Sequence, residues 1–490
     1  MLPPRRAAAI VTFNICQTRS AELAGGQAGG AREASGRVIR KRSDSDAARG
    51  FPILRLIACV FLPFAAGYYL SYVFRTINTV ISGQLSSDLG LDAANLGLLT
   101  SVYFLVFAGA QLPVGTLLDR FGPRRVQSVL LLIAGCGAAL FGAATGLVEL
   151  LIARALIGLG VSGAALSGMK AIVTWFPRER VALINGYMIT LGALGAVTAT
   201  TPAEWLLEYT GWRQLFEILA LATFAAALLI FWAVPEAMRP QETRLSPLKL
   251  RAIYTDRRFW RIAPLSASCV GSAWSLQALW AAPWLKDVEG LTRESLITQL
   301  FIMALGVCAG ALLLGTLADR LRRRGIGSEG LFVAVTVLFM GAELALVFRV
   351  PLPSQLSWLV ISVVGAATVL SYAIIAEYFP REFAARANAG LNVVHFGWCF
   401  VVQYGTGLIL EQWSTQNGHY PAIAYQVAFA FAVAVQCLAL AWFLMPWLGI
   451  LGRWSVKRSR STPTIDPSLI EALMPPPETA VHQVEEEDEW

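Results

Sequence analysis

The chain has 490 residues, 56 % of them hydrophobic and only 14 % charged, where soluble domains carry roughly 25 % charged residues. Lipid, not water, is therefore the expected solvent. The net charge of +7 is spread over the first 50 residues and short loops, which excludes a nucleic-acid footprint, and the seven Cys show no ligand or framework spacing, which excludes a metal site and a disulfide scaffold.

Residues 1–50 are rich in Ala, Arg, Gly and Ser and contain no apolar run. This predicts a disordered cytoplasmic extension, and an Arg- and Ser-rich targeting presequence reads the same way. A membrane helix needs ~20 mostly apolar residues. Such stretches recur near 53–83, 95–117, 127–147, 150–174, 181–203 and 213–234. Six more follow near 260–285, 295–317, 330–349, 355–377, 387–410 and 423–448. The predicted fold is an all-α membrane protein of twelve transmembrane helices. A six-helix bundle occupies 51–234, a cytoplasmic linker 235–259 and a second bundle 260–450. The tail 451–490, with its PPP and terminal EEEDEW, is expected to be disordered.

Positive charge sets the orientation. With the N-terminus inside, the inner loops hold 19 Lys and Arg and the outer loops 4, Arg213, Lys286, Arg293 and Arg349. Both termini are thus expected in the cytoplasm. The two halves also repeat. GTLLDR at 115 returns as GTLADR at 315, and WFPRERVALIN ending at Asn185 returns as YFPREFAARAN ending at Asn388. Inner loops match inner loops, so the repeat is parallel. Bundles of this kind hold a site at their interface near the bilayer midplane.

The loop GTLLDRFGPRR, Gly115 to Arg125, resembles the signature between the second and third helices of the major facilitator superfamily, and its second copy keeps Gly315, Asp319 and Arg320. Arg154 in ARALIGLG and GWRQLF from Gly211 also resemble patterns of that superfamily. The resemblance covers about 51–450 and implies a carrier in the bacterial inner membrane, working as a monomer by alternating access without a cofactor. It further implies that Asp119, Arg120, Arg124, Asp319 and Arg320 act as a gate latch. Physically, Gly115 and Gly122 permit close approach and a turn, and Asp119 can accept hydrogen bonds from Arg side chains or a helix N-terminus. Topology alone would need neither the Asp nor the glycines.

An ionisable residue inside a membrane span is a functional hypothesis by default. Arg75 lies near the middle of the first helix, on a stripe with Tyr68, Ser71, Tyr72, Asn78, Thr79 and Ser82. A guanidinium among hydroxyls and amides suits a carboxylate or phosphate held bidentately. The stretch YVFR also resembles the Tyr-x-x-Arg of the organic-anion branches, except that Phe74 stands where those often have Asp. The role of a proton-coupling residue therefore has no occupant at that position. Arg154, in the fourth helix, reads either as a substrate or proton-coupling residue or as a structural donor to backbone carbonyls. Lys170 reads as a topology residue. Counting on from Arg75 by the repeat reaches Gln277 in the seventh helix, with Trp274 beside it. Asn388, Asn392, His395 and Cys399 form a stripe on the eleventh helix, and Tyr187 and Tyr372 add hydroxyl donors. His395 can carry a proton or merely hydrogen-bond within the bundle. Glu343, near the outer end of the ninth helix, is expected to reach water.

The predicted substrate site is therefore Arg75, Tyr72, Asn78, Arg154, Tyr187, Trp274, Gln277, Tyr372, Asn392 and His395. The expected function is secondary active transport of a small organic anion, as a symport with a proton or sodium. Alternatives are a proton-coupled exporter of drugs or metabolites, a nitrate-type carrier, and a non-transporting sensor. The fifth helix lacks the GPxxGG expected of drug antiporters, and no Walker loop or catalytic cluster marks an enzyme.

Overall fold

The computed structural model describes residues 52–236, 253–325, 327–379, 381–416 and 418–445, excepting the side chains of 178, 179, 182 and 381–385. The predicted extension 1–50, the tail 451–490 and most of the linker lie outside these residues.

The first span, α1 (Ile53–Leu89), runs through a π turn at Ile57–Phe61 and stops where Gly90 adopts φ 64°. Such a left-handed residue is a common helix terminator. Asp92 then caps the next helix by accepting a hydrogen bond from the Asn95 N–H at 2.7 Å. That helix, Ala93–Ala143, holds the second and third spans, α2 and α3, in one 51-residue stretch. The expected loop between them is no loop. Gly122, at φ 78°, turns the chain alone, and Pro123 starts α3 without needing the N–H it lacks. Gly115 has open space around it, so close approach does not explain it. There follow α4 (Leu147–Trp175), α5 (Arg178–Thr198) and α6 (Thr201–Ala233), the last bent at Gly211 with φ 74°.

The second half repeats the plan. Helix α7 covers residues 257–287, three residues earlier than expected, and contains two π turns, Ala267–Gly271 and Leu276–Trp280. Each π turn adds one residue and rotates the face that follows. Then come α8 (Arg293–Arg323), α9 (Ser328–Val347), α10 (Ser354–Tyr378), α11 (Arg381–Leu410) and α12 (Ala422–Leu444). The repeat is visible in the breaks. Helix α4 is interrupted between Val161 and Ala164, and α10 between Gly365 and Thr368, 204 residues on.

Glycines set how closely helices approach. A Cβ on Gly195 of α5 would lie 2.3 Å from the Tyr69 carbonyl oxygen of α1, and one on Gly160 of α4 would lie 2.4 Å from the Leu130 carbonyl oxygen of α3. Within membranes such small residues replace the hydrophobic effect as the source of tight packing.

One end of the bundle carries the Asp119 turn and the other carries Glu204. Toward the Glu204 end the two halves are joined. Arg293 at the start of α8 grips the Glu204 carboxylate of α6 through two bonds of 2.6 and 2.5 Å and donates to the Val80 carbonyl of α1 at 2.9 Å. Asp287 collects His419 Nδ1 (2.8 Å), the Tyr425 hydroxyl (2.7 Å) and the Tyr420 N–H (3.2 Å), and the Ala93 N–H reaches the Tyr420 hydroxyl oxygen. Gly97 of α2 lies against the Gln403 carbonyl of α11, and Gly407 against the Ala93 carbonyl. The structure is thus closed at the Glu204 end.

Candidate binding cavity

A cleft, partly open to the outside, lies between α1, α5, α7 and α8. Helix α1 contributes Tyr72, Arg75, Thr76 and Thr79, and α7 contributes Trp274, Gln277 and Ala278. Helix α8 supplies Leu300, Met303, Ala304 and Val307. Apart from Thr200, between α5 and α6, no described residue of the other eight helices lines it.

Arg75 is the charged residue of this lining. Its guanidinium carbon sits 5.1 Å from the Tyr72 ring centre and 4.5 Å from that of Trp274. Aromatic faces attract a cation without neutralising it. Among the described residues no carboxylate pairs with Arg75 and no hydrogen-bond acceptor occupies its N–H groups. The Trp274 ring is itself fixed by its N–H donating to the Gly365 carbonyl at 2.9 Å, and it stands edge-on to His395. Gln277 donates to the Ile361 carbonyl (3.3 Å), while its own backbone oxygen accepts from the Thr79 hydroxyl at 2.8 Å, a bond that joins the two halves.

The other expected residues fall in three places. Tyr372 and Asn392 bond to each other at 3.0 Å, and the Tyr372 ring stacks on His395, whose Nε2 lies 2.7 Å from the Ser266 hydroxyl. This group adjoins Trp274 rather than lining the cavity. Asn78 turns away toward α2 and donates to the Thr100 hydroxyl at 3.0 Å. Arg154 is buried in the first half, donating to the Phe74 carbonyl at 2.9 Å with Phe141 and Phe216 under its guanidinium. Of its two readings, the geometry matches the structural donor. Tyr187 is 56 % exposed and does not line the cavity.

At the other end, Asp119 accepts from Lys170 Nζ at 2.7 Å, and Lys170 also reaches the Leu118 carbonyl at 2.8 Å. Lys170 therefore does more than set topology. Arg124 donates to the Phe231 carbonyl (2.7 Å), Arg125 pairs with Glu236, and Arg120 lies over Phe121. Asp319 pairs with Arg322 of its own helix at 2.6 Å, and Arg320 is exposed. Glu343 does not reach water. It is 1 % exposed, facing Gln436 of α12.

Sequence reasoning missed Thr76, the apolar α8 wall and the Arg293–Glu204 clamp. Thr76 adjoins Arg75, but stripe spacing alone passes it over. Nothing local to Arg293 identifies a partner 89 residues away.

Among the described residues the helices fall in two repeated halves, nine of them long and apolar enough to cross a membrane, which is the architecture of a membrane carrier. Residues 64–402 match the Major Facilitator Superfamily, and the chain belongs to that family of secondary transporters. Among curated relatives, the "Probable sulfoacetate transporter SauU" of Cupriavidus necator is 27 % identical over 305 residues, 58 % of this chain and 70 % of that one. The "Hexuronate transporter" of Bacillus subtilis is 23 % identical over 423 residues, 81 % and 96 % of the two chains. Among solved structures, a bacterial homologue of the human lysosomal transporter Spinster aligns with TM-score 0.68 at 19 % identity, covering 83 % of this chain and all of that one.

Proposed function

We propose that the chain moves a small organic anion by alternating access, as a symporter coupled to a proton or sodium ion. The observation that carries this is Arg75, a guanidinium inside a membrane span, facing the cavity with no acidic partner among the described residues. A cation at membrane depth without a counter-ion is costly, and an anionic ligand supplies the missing charge. The relatives named for sulfoacetate and hexuronate support this class.

The Asp119 end faces the cytoplasm of a bacterial inner membrane, as its Lys and Arg excess favours. Both termini, the linker 235–259 and the tails lie on that side, and the protein works as a monomer. With the Glu204 end closed, Asp119 and Asp319 pair within their own halves. When the halves rock the other way, Asp119, Arg120, Arg124, Asp319 and Arg320 meet across the seam and latch it. Tyr72, Trp274 and Gln277 shape the site, and Tyr372, Asn392 and His395 back its Trp274 wall.

The test is uptake of radiolabelled organic anions into proteoliposomes containing the full chain, with Arg75→Ala and Arg75→Lys in parallel. Saturable uptake lost in the Ala variant supports the proposal, with folding checked by melting temperature. Undiminished uptake in Arg75→Ala overturns it.

A further inference from the structure

Resting on the anion reading at Arg75, we infer that the substrate is a monovalent anion with an apolar body, such as a short-chain or aromatic carboxylate or sulfonate, and not a polyhydroxylated sugar acid or a dianion. Three observations carry this inference. The first is charge. Arg75 is the cation of the lining, with no second Lys, Arg or His beside it among the described residues. A second carboxylate on the ligand would be desolvated without a partner.

The second is the state of the polar groups. Most are already committed to the protein itself. Thr79 donates to the Gln277 carbonyl at 2.8 Å, Thr200 to the Val197 carbonyl at 2.6 Å, and the Gln277 amide to the Ile361 carbonyl at 3.3 Å. What stays available is chiefly one cluster on α1, beside the Oε1 and second amide hydrogen of Gln277. The Arg75 N–H groups and the Thr76 hydroxyl have no partner among the described residues, and the Tyr72 hydroxyl accepts from Tyr68 at 3.3 Å but keeps its own proton to donate. Residues 72, 75 and 76 share one helix face, enough for the oxygens of one head group. Of the several ring hydroxyls of a sugar acid, one or two could reach the Gln277 amide or a Thr oxygen, and the others would leave water for an apolar wall, where an unmet buried hydroxyl is costly.

The third is that wall. The rest of the lining includes Leu300, Met303 and Val307 of α8, Ala196, Ala278 and the Trp274 ring on which Arg75 rests. An aliphatic or aromatic body buries against these surfaces, and Met adapts to its outline.

The experiment is a thermal-shift titration of the purified full chain with butyrate, benzoate, D-glucuronate and succinate, repeated in Arg75→Ala. Butyrate or benzoate should bind at least about tenfold more tightly than D-glucuronate or succinate, and the stabilisation should vanish in Arg75→Ala. A second variant, Met303→Gln, adds an amide to the wall and should shift the glucuronate-to-benzoate affinity ratio toward glucuronate by several-fold. Arg75-dependent stabilisation by D-glucuronate or succinate equal to or above that by benzoate would overturn the inference while leaving an anion at Arg75. Stabilisation by no anion, or stabilisation that survives Arg75→Ala, would remove the anion reading and this inference with it.

Discussion

Glu204→Ala should open the end of the molecule that is closed here. Arg293 makes two charge-assisted bonds to Glu204 across the two halves, at 2.6 and 2.5 Å, and its bond to the Val80 carbonyl survives the substitution. Bonds to charged groups contribute about 1.5–3 kcal/mol each when well shielded. The Arg293 side chain is 44 % exposed, so water replaces part of what is lost, whereas Glu204 is only 15 % exposed. Exposed ion pairs contribute about 0–1 kcal/mol, and the bidentate, half-shielded geometry places this one at about 1–2 kcal/mol. The ratio of closed to open molecules should then fall by roughly 5- to 30-fold. Spin labels at Tyr209 and Phe348, exposed positions in opposite halves, would report the separation by pulsed electron resonance. Glu204→Ala and Arg293→Ala should each shrink the short-distance population, and Glu204→Arg with Arg293→Glu should restore it. Unchanged distance distributions in both single variants would refute the clamp.

Three further outcomes follow from the same contacts. Burial raises the Glu411 carboxyl above its usual range, and the facing Asp92 carboxylate on the other half raises it further. The proton is therefore held more tightly with the halves together. Closure should strengthen as pH falls toward the ordinary glutamate value of about 4.3 and weaken as it rises past the raised one. The same spin-label pair reads this, and Glu411→Gln should flatten the dependence; an identical pH profile in that variant refutes the assignment. Glu343 is 1 % exposed and neither of its carboxyl oxygens has a hydrogen-bond partner among the described residues, so Glu343→Leu, which removes an unmet buried polar group, should melt at or above the parent; a loss of more than about 1 kcal/mol would refute this. Gly195→Ala should cost about 1–3 kcal/mol by overpacking, because the Tyr69 carbonyl is backbone and cannot swing aside; a melting temperature equal to the parent's would show that α1 and α5 slide apart freely.

What the sequence disclosed was whatever breaks a pattern. Apolar runs separated by charged turns mark spans, so the twelve helices were readable, and the duplicated GTL-x-DR phrase exposed the two halves. Arg75 was readable because a guanidinium inside an apolar run is the largest departure hydropathy can record. Arg154 makes the same departure, yet it turns into its own half among Phe74, Phe141 and Phe216. A composition signal gives depth along a helix but not the direction it faces. The π turns at 267–271 and 276–280 compound this, since each rotates the face of α7 without any marker in the chain. Contacts between distant segments left no trace at all. Lys170 looked like a topology charge because its carboxylate lies 51 residues earlier, and nothing singles out Glu204 because Arg293 arrives only once the halves assemble.

Arg75 belongs to the first half and the Trp274 ring it rests on belongs to the second. A ligand that draws the guanidinium toward itself therefore changes a contact across the seam at the moment it binds. By linkage, whatever preference the bound ligand has for one arrangement of the halves returns as an equal preference of that arrangement for the ligand. On the proposed reading, the wall of the cavity would then register occupancy as well as bind, because the one ring under Arg75 belongs to the other half.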